Sequence, residues 1–233
     1  MTARRIVRFL GVLALTVCAT LLSAPVPSAS AQPCPDVEAV IARGTGEPPG
    51  VGGVGQAFVD ALRSKVGGKS MDVYAVNYPA STDFGNPMEF AQTVVQGISD
   101  ASTHIENTAA SCPNTKMVLG GYSQGAAVAG FVTAAVVPEG VPAALVPAPM
   151  PPEVANHVAA VALFGKPSAQ WLGSYGAPAI AIGPLYAPKT IDLCAPGDTI
   201  CDGAPGGPPS AAHGLYPVNG MVNDAATFAG RRL

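Results

Sequence analysis

The chain has 233 residues, 48 % of them hydrophobic and only 12 % charged, with a formal net charge of −3 at pH 7. No basic cluster is present, which argues against a nucleic-acid partner, and apolar content this high with clear periodic segments excludes a disordered chain. Once an N-terminal address is set aside, about 200 residues remain, enough for one domain with a sizeable core.

The address comes first. Arg4, Arg5 and Arg8 form a positive n-region, Phe9 to Leu22 an apolar stretch too short to span a bilayer comfortably, and Ala29-Ser30-Ala31 a small-residue cleavage site. Residues 1–31 are therefore expected to be a signal peptide, with a secreted mature chain, extracellular or cell-wall associated, beginning at Gln32. The Arg4-Arg5 pair raises a twin-arginine route, though its flanks fit that pattern poorly. No later apolar run reaches the length of a membrane span.

Val37 to Ala42 (V-E-A-V-I-A) reads as a first strand, followed by a Gly-rich loop, Gly44 to Gly55. Phe58, Val59, Leu62 and Val66 then recur at helical spacing over Gly55 to Val66. Met71 to Tyr78 alternates and is β-rich, so it is a second strand, stopped by Pro79. Met88 to Ala110 carries Phe90, Val94, Val95, Ile98 and Ile105 on one side and is a helix. Lys116 to Gly121 is the third strand and Gln124 to Val137 the helix behind it. A Pro-rich connection covers 138–152. His157 to Phe164 and Lys189 to Cys194 are the fourth and fifth strands, and Val218 to Arg232 a closing helix. Alternation of this kind implies a five-stranded parallel sheet with helices on both faces. Ligand chemistry then belongs at the carboxyl ends of the strands.

One such end carries Gly121-Tyr122-Ser123-Gln124-Gly125. The five-residue pattern alone is weak. Between an apolar strand and a small-residue helix it describes a nucleophile elbow. The turn is too sharp for side chains beside the serine, and Gly121 and Gly125 remove the β-carbons that would clash. Ser123 is left exposed at a helix N-terminus, where N–H groups hold developing negative charge.

A serine hydroxyl needs a base. Of three histidines, His104 falls within the long helix as a solvated surface residue, and His157 opens the fourth strand at the wrong edge of the sheet. His213 follows the last strand in a Gly/Pro-rich loop and satisfies the order serine, acid, histidine. The acid candidates are Glu139, Glu153, Asp192, Asp198 and Asp202. Asp198 follows the fifth strand inside Cys194-Ala195-Pro196-Gly197-Asp198-Thr199-Ile200-Cys201 and is preferred, with Asp202 next. The oxyanion hole takes the Gln124 N–H from the elbow and a second donor from Arg43-Gly44-Thr45-Gly46-Glu47, where Thr45 offers an N–H and a hydroxyl.

Of five cysteines, Cys18 leaves with the signal peptide. Four remain, and three connectivities are open. Closeness in sequence pairs Cys194 with Cys201, leaving Cys34 for Cys112. A zinc site is the rival, but no Cys or His spacing resembles one.

The order Cys34, R-G-T-G-E (43–47), Cys112, G-Y-S-Q-G (121–125), C-x₃-D-x₂-C (194–201) and His213 resembles the cutinase family, most closely its secreted actinobacterial members. The resemblance covers nearly all of residues 32–233. It implies a minimal α/β-hydrolase with no large lid, the triad Ser123, Asp198 and His213, an oxyanion hole at Thr45 and Gln124, and the two disulfides just paired. The family does not fix the substrate: members resembling this chain split esters of short and medium acyl chains, and some act on longer lipids, phospholipids or polyesters. The leading expectation is a short- to medium-chain acyl ester hydrolase that needs no metal or cofactor, acts on ester or lipid substrates as a monomer, and touches lipid surfaces transiently. Tyr78, Phe84, Leu185, Tyr186, Leu215 and Tyr216, in loops at the strand tops, are candidates to line an acyl groove. An acyltransferase or thioesterase on the same fold, and a non-catalytic exported surface protein, are the alternatives; the last would lack a triad member, and none is missing.

Overall fold

The computed structural model describes residues 33–233. The predicted signal peptide and Cys18 lie outside the described residues.

The elements, numbered in chain order, are β1 (Val37–Ala42), α1 (Gly52–Arg63), β2 (Met71–Ala75), α2 (Pro87–Ser111), β3 (Lys116–Tyr122), α3 (Gln124–Val132), β4 (Val158–Phe164), α4 (Ala169–Gly173), β5 (Thr190–Leu193) and α5 (Met221–Gly230). The five strands form one all-parallel sheet in the order β2-β1-β3-β4-β5. All six residues of β1 are buried. A strand covered on both faces reads as a continuous apolar run, and V-E-A-V-I-A does so except at Glu38. Its Oε1 lies 3.0 Å from His104 Nε2, and the imidazole stacks on Tyr74 with 3.5 Å between ring centroids. His104 is thus a half-buried link between α2 and the sheet, which corrects its expected place on the solvated surface.

Two apolar layers hold the sheet. Val40, Leu119 and Val161 face α2 and α3, while Ile41, Val118 and Phe164 face α1 and α5. The α2 start follows from its sequence. Asn86 accepts the Glu89 N–H at 3.3 Å, its own amide donates to Glu89 Oε2 at 3.0 Å, and Pro87 opens the helix. Further along, Gly97 lets α2 approach closely: a β-carbon there would stand 3.0 Å from Val128 Cγ2 and from the Tyr78 ring.

Several ends differ from the sequence reading. β2 stops at Ala75 rather than Tyr78, because the Asn77 N–H leaves the ladder for Asp100 Oδ2 (2.8 Å) and Tyr78 turns inward. α3 stops at Val132 rather than Val137. Thr133 Oγ1 donates to Gly130 O (2.8 Å), and Thr133 O accepts the Gly183 N–H (2.9 Å), drawing the chain off the helical path. His157 ends a 3₁₀ turn (Pro152–His157) just before β4. The short helix α4 was not anticipated.

The chain leaves β1 toward β2 but leaves β3 toward β4. The crevice at the carboxyl ends of β1 and β3 is therefore the switch point where α/β sheets bind ligands.

Candidate active site

β3 delivers Ser123 to that crevice. Its backbone sits at φ 54° and ψ −116°, a strained conformation for a residue with a side chain, costing about 1–3 kcal/mol. The flanking glycines are sterically required. A β-carbon on Gly121 would stand 2.1 Å from Gly125 O, and one on Gly125 would stand 2.0 Å from Ala42 O. The Ser123 N–H donates to Phe164 O at 2.9 Å, tying the elbow to the end of β4. Gln124 opens α3 directly behind the serine.

The β5 side supplies an acid and a base already joined. His213 Nδ1 lies 2.9 Å from Asp198 Oδ1 and 2.8 Å from Oδ2. Asp198 has no exposed surface and His213 is 6 % exposed. The carboxylate also accepts the Ile200 N–H on Oδ1 (3.0 Å) and the Tyr216 hydroxyl on Oδ2 (2.6 Å). Tyr122, next to the serine, donates its hydroxyl to His213 O (2.9 Å), and its ring centroid is 4.9 Å from the imidazole. Burial, with the Glu47 and Asp198 charges, pushes the Tyr122 phenol up to about 12, so it stays a donor at neutral pH. No hydrogen bond from the Ser123 hydroxyl to the imidazole is present among the described residues.

The other candidates fall elsewhere. Asp192 pairs with Lys166 (3.2 Å) on β5, and Asp202 is exposed, accepting the Ala204 N–H (2.9 Å). Glu139 and Glu153 are exposed. His157 lies at the amino end of β4, across the sheet from Ser123, with a buried Nδ1 that has no partner. The disulfides are Cys34–Cys112 and Cys194–Cys201, with Cα–Cα separations of 5.5 and 5.7 Å. The second one closes the loop that contains Asp198.

Thr45 occupies a turn in which the Glu47 N–H donates to Gly44 O (3.3 Å). Two residues missed by sequence reasoning hold that turn. Arg43, only 4 % exposed, donates from Nε to Glu47 O (2.8 Å), from one terminal nitrogen to Val76 O (3.4 Å) and from the other to Tyr78 O. In return, the Tyr78 hydroxyl donates to Arg43 O (2.5 Å). Glu47 accepts the Gly44 N–H (2.5 Å) and the Gly53 N–H (2.6 Å), joining the turn to the start of α1. Beside them the Gln124 side chain is buried, donating to Ser81 O (3.4 Å) with Oε1 unpartnered. The signal for both missed residues was the charge flanking G-T-G at the end of a buried strand.

Of the expected groove residues, Phe84, Leu185 and Leu215 are exposed, whereas Tyr78, Tyr186 and Tyr216 are buried. The three tyrosines belong to the core instead. A polar hollow of about 440 Å³ between β2 and α2, lined by Tyr74, Gln96, Asp100 and His104 among others, contains none of the candidate residues.

Comparison with known proteins bears on the family and the fold. The Cutinase family model matches residues 33–233. The probable carboxylesterase Culp7 of Mycobacterium tuberculosis is 66 % identical over 170 residues, covering 73 % of this chain and 89 % of the relative. Carboxylesterase Culp1 of Mycobacterium bovis is 50 % identical over 237 residues, covering 100 % of this chain and 98 % of its own. Among solved structures, the Trichoderma reesei cutinase in complex with a phosphonate inhibitor superposes with a TM-score of 0.63 at 31 % identity, covering 84 % of this chain and 76 % of the other. The chain belongs to the cutinase family of esterases.

Proposed function

We propose that the protein is a secreted serine carboxylester hydrolase for short- to medium-chain acyl esters, with Ser123 as nucleophile, His213 as general base and Asp198 as the acid that orients it. The observation that carries this reading is the strained Ser123 elbow together with a buried, hydrogen-bonded Asp198–His213 pair, which Tyr122, the residue before the serine, contacts at His213 O. The Asp198 carboxylate fixes the tautomer with the proton on Nδ1, leaving Nε2 free to take the serine proton. Ser123 Oγ then attacks the ester carbonyl. The Gln124 N–H, with the Thr45 N–H or hydroxyl, receives the charge that develops on the carbonyl oxygen. His213 returns the proton to the leaving alcohol, and water activated by the same imidazole releases the acyl group. The serine and imidazole come into hydrogen-bond contact as substrate is bound, a tightening usual for catalytic pairs.

Exposed Phe84, Leu185 and Leu215 support an apolar acyl chain and transient contact with lipid surfaces; the protein is proposed to act as a monomer. Residues 1–31 are proposed to direct export, and 32–233 to be the catalytic domain.

A fluorophosphonate probe tests the nucleophile: it should label Ser123 and nothing else in the protein, and Ser123→Ala should lower kcat by on the order of 10³ or more. Labelling at another residue, or full activity in the variant, would overturn the assignment. A chain-length series of nitrophenyl esters reads the acyl preference. Added alcohol or a thioester substrate separates hydrolysis from transfer and thioesterase activity. The N-terminal sequence of exported protein should begin at Gln32.

A further inference from the structure

Tyr216 lies beneath the Asp198–His213 pair, with none of its surface exposed. Its hydroxyl has two polar neighbours and a sulfur. It accepts the Ala195 N–H at 3.1 Å, donates to Asp198 Oδ2 at 2.6 Å, and lies 3.6 Å from Cys201 Sγ. Because Ala195 can only donate, the phenolic proton must go to the carboxylate. Three groups meet over the backbone of Gly165: a β-carbon there would stand 2.9 Å from His213 Cε1, 3.0 Å from Asp198 Oδ2 and 3.0 Å from the Tyr216 hydroxyl oxygen. Packing of the ring against Phe164 and Tyr122 does not explain the hydroxyl, since phenylalanine would fill the same space.

We infer that Tyr216 is a positioning residue that sets the negative charge which Asp198 presents to His213. This rests on the proposed triad. In a site shielded from water, a bare carboxylate holds a proton strongly on the imidazole beside it. An imidazole protonated at neutral pH cannot act as a base. The phenol dipole draws charge from Oδ2, one of the two oxygens that His213 Nδ1 faces, as the Ile200 N–H does at Oδ1. The bond thereby lowers the charge that Oδ2 presents to the imidazole while keeping the carboxylate in place. The phenol remains protonated throughout, because burial and its bond to Asp198 push it well above the usual tyrosine range. The titratable neighbours are few. β3 contributes Tyr122, and Glu47 acts on Tyr122 from the β1 loop. The β5 loop contributes Asp198 and the non-titrating Cys194–Cys201 bridge. The side chains of α1, α5 and β4 that share Tyr216's layer, among them Phe58, Val222 and Phe164, are apolar.

The test is the pH dependence of fluorophosphonate inactivation and of kcat/KM in Tyr216→Phe, with melting temperature measured alongside. The acid limb of both profiles should move to higher pH by about half a unit or more, whatever happens to the melting temperature. Site-specific incorporation of a fluorinated tyrosine at position 216, a stronger donor, should move the limb the other way, and it decides the matter alone if the Phe variant does not fold. Limbs that stay in place in every folded variant, with only the melting temperature lowered, would make Tyr216 a packing residue and overturn the inference while leaving the triad intact. Failure of the probe to label Ser123 in the wild type would overturn both.

Discussion

Gly125 shows how far a single residue specifies the site. A β-carbon there meets two backbone oxygens, Ala42 O at 2.0 Å and Arg43 O at 2.4 Å, and no rotamer change relieves a clash with backbone. Gly125→Ala should therefore cost more than about 4 kcal/mol or prevent folding. Gly68→Ala, where nothing lies within 4 Å, should stay within about 0.5 kcal/mol; denaturant unfolding of the two variants checks the contrast. Equal stabilities would mean that the elbow can open without cost. Thr45→Ala is a subtler probe. It should lower kcat by about 10–10³ if the hydroxyl donates to the oxyanion, with Thr45→Ser milder. Unchanged turnover would leave the hole to backbone donors. The elbow was legible because its steric demand appears in sequence as glycines at fixed offsets. Tyr216 was not, because nothing in H-G-L-Y says which side chain turns inward. Leu215 is 47 % exposed and its neighbour Tyr216 fully buried, and only the path of the loop decides between them.

At the level of elements, strands were read well where they are buried on both faces, and helix ends poorly. β1 matches its predicted bounds and β4 differs by one residue, since a strand inside the sheet is a plain apolar run between breakers. α3 was overrun because it is apolar on every side, wedged between the sheet and α2, so no polar face marks its last turn. The loops between β5 and α5 carry the proposed acid and base, and the two bridges differ in what they hold. Cys194–Cys201 closes a separation of 7 residues and Cys34–Cys112 one of 78. Loop entropy assigns about 2–3 kcal/mol to the first and about 4–5 to the second. The short bridge nonetheless brackets Asp198, and its Cys201 sulfur lies 3.6 Å from the Tyr216 hydroxyl. Cys194→Ser/Cys201→Ser should fold with much reduced kcat, whereas Cys34→Ser/Cys112→Ser should lose melting temperature first and activity only through unfolding. If the first variant keeps normal kcat while Asp198→Asn is inactive, the bridge is not what holds the acid.

Across the whole molecule, buried phenols tie both apolar layers to pH. Of six tyrosines, Tyr78 and Tyr186 belong to the layer under α2 and α3, and Tyr216, with partly buried Tyr122, to the layer under α1 and α5. Burial is the largest cause raising each of the four; Tyr122 and Tyr186 reach about 12, and Tyr78 and Tyr216 go higher. An unfolded chain ionises its tyrosines near pH 10. Each raised phenol therefore contributes stability that is fully present below about pH 10 and is lost as pH rises through the folded value. Four such groups acting together predict a steep alkaline transition rather than a gradual one. Absorbance near 295 nm, which reports phenolate, should show a cooperative rise that coincides with loss of far-ultraviolet ellipticity. The four phenols lie on opposite faces of the sheet, so a single transition would also show that both layers unfold as one unit. Tyr216→Phe removes one group and should make that rise less steep. Phenolate absorbance complete before any ellipticity is lost would mean that these hydroxyls reach solvent in the folded state, and that the buried phenols do not link stability to pH.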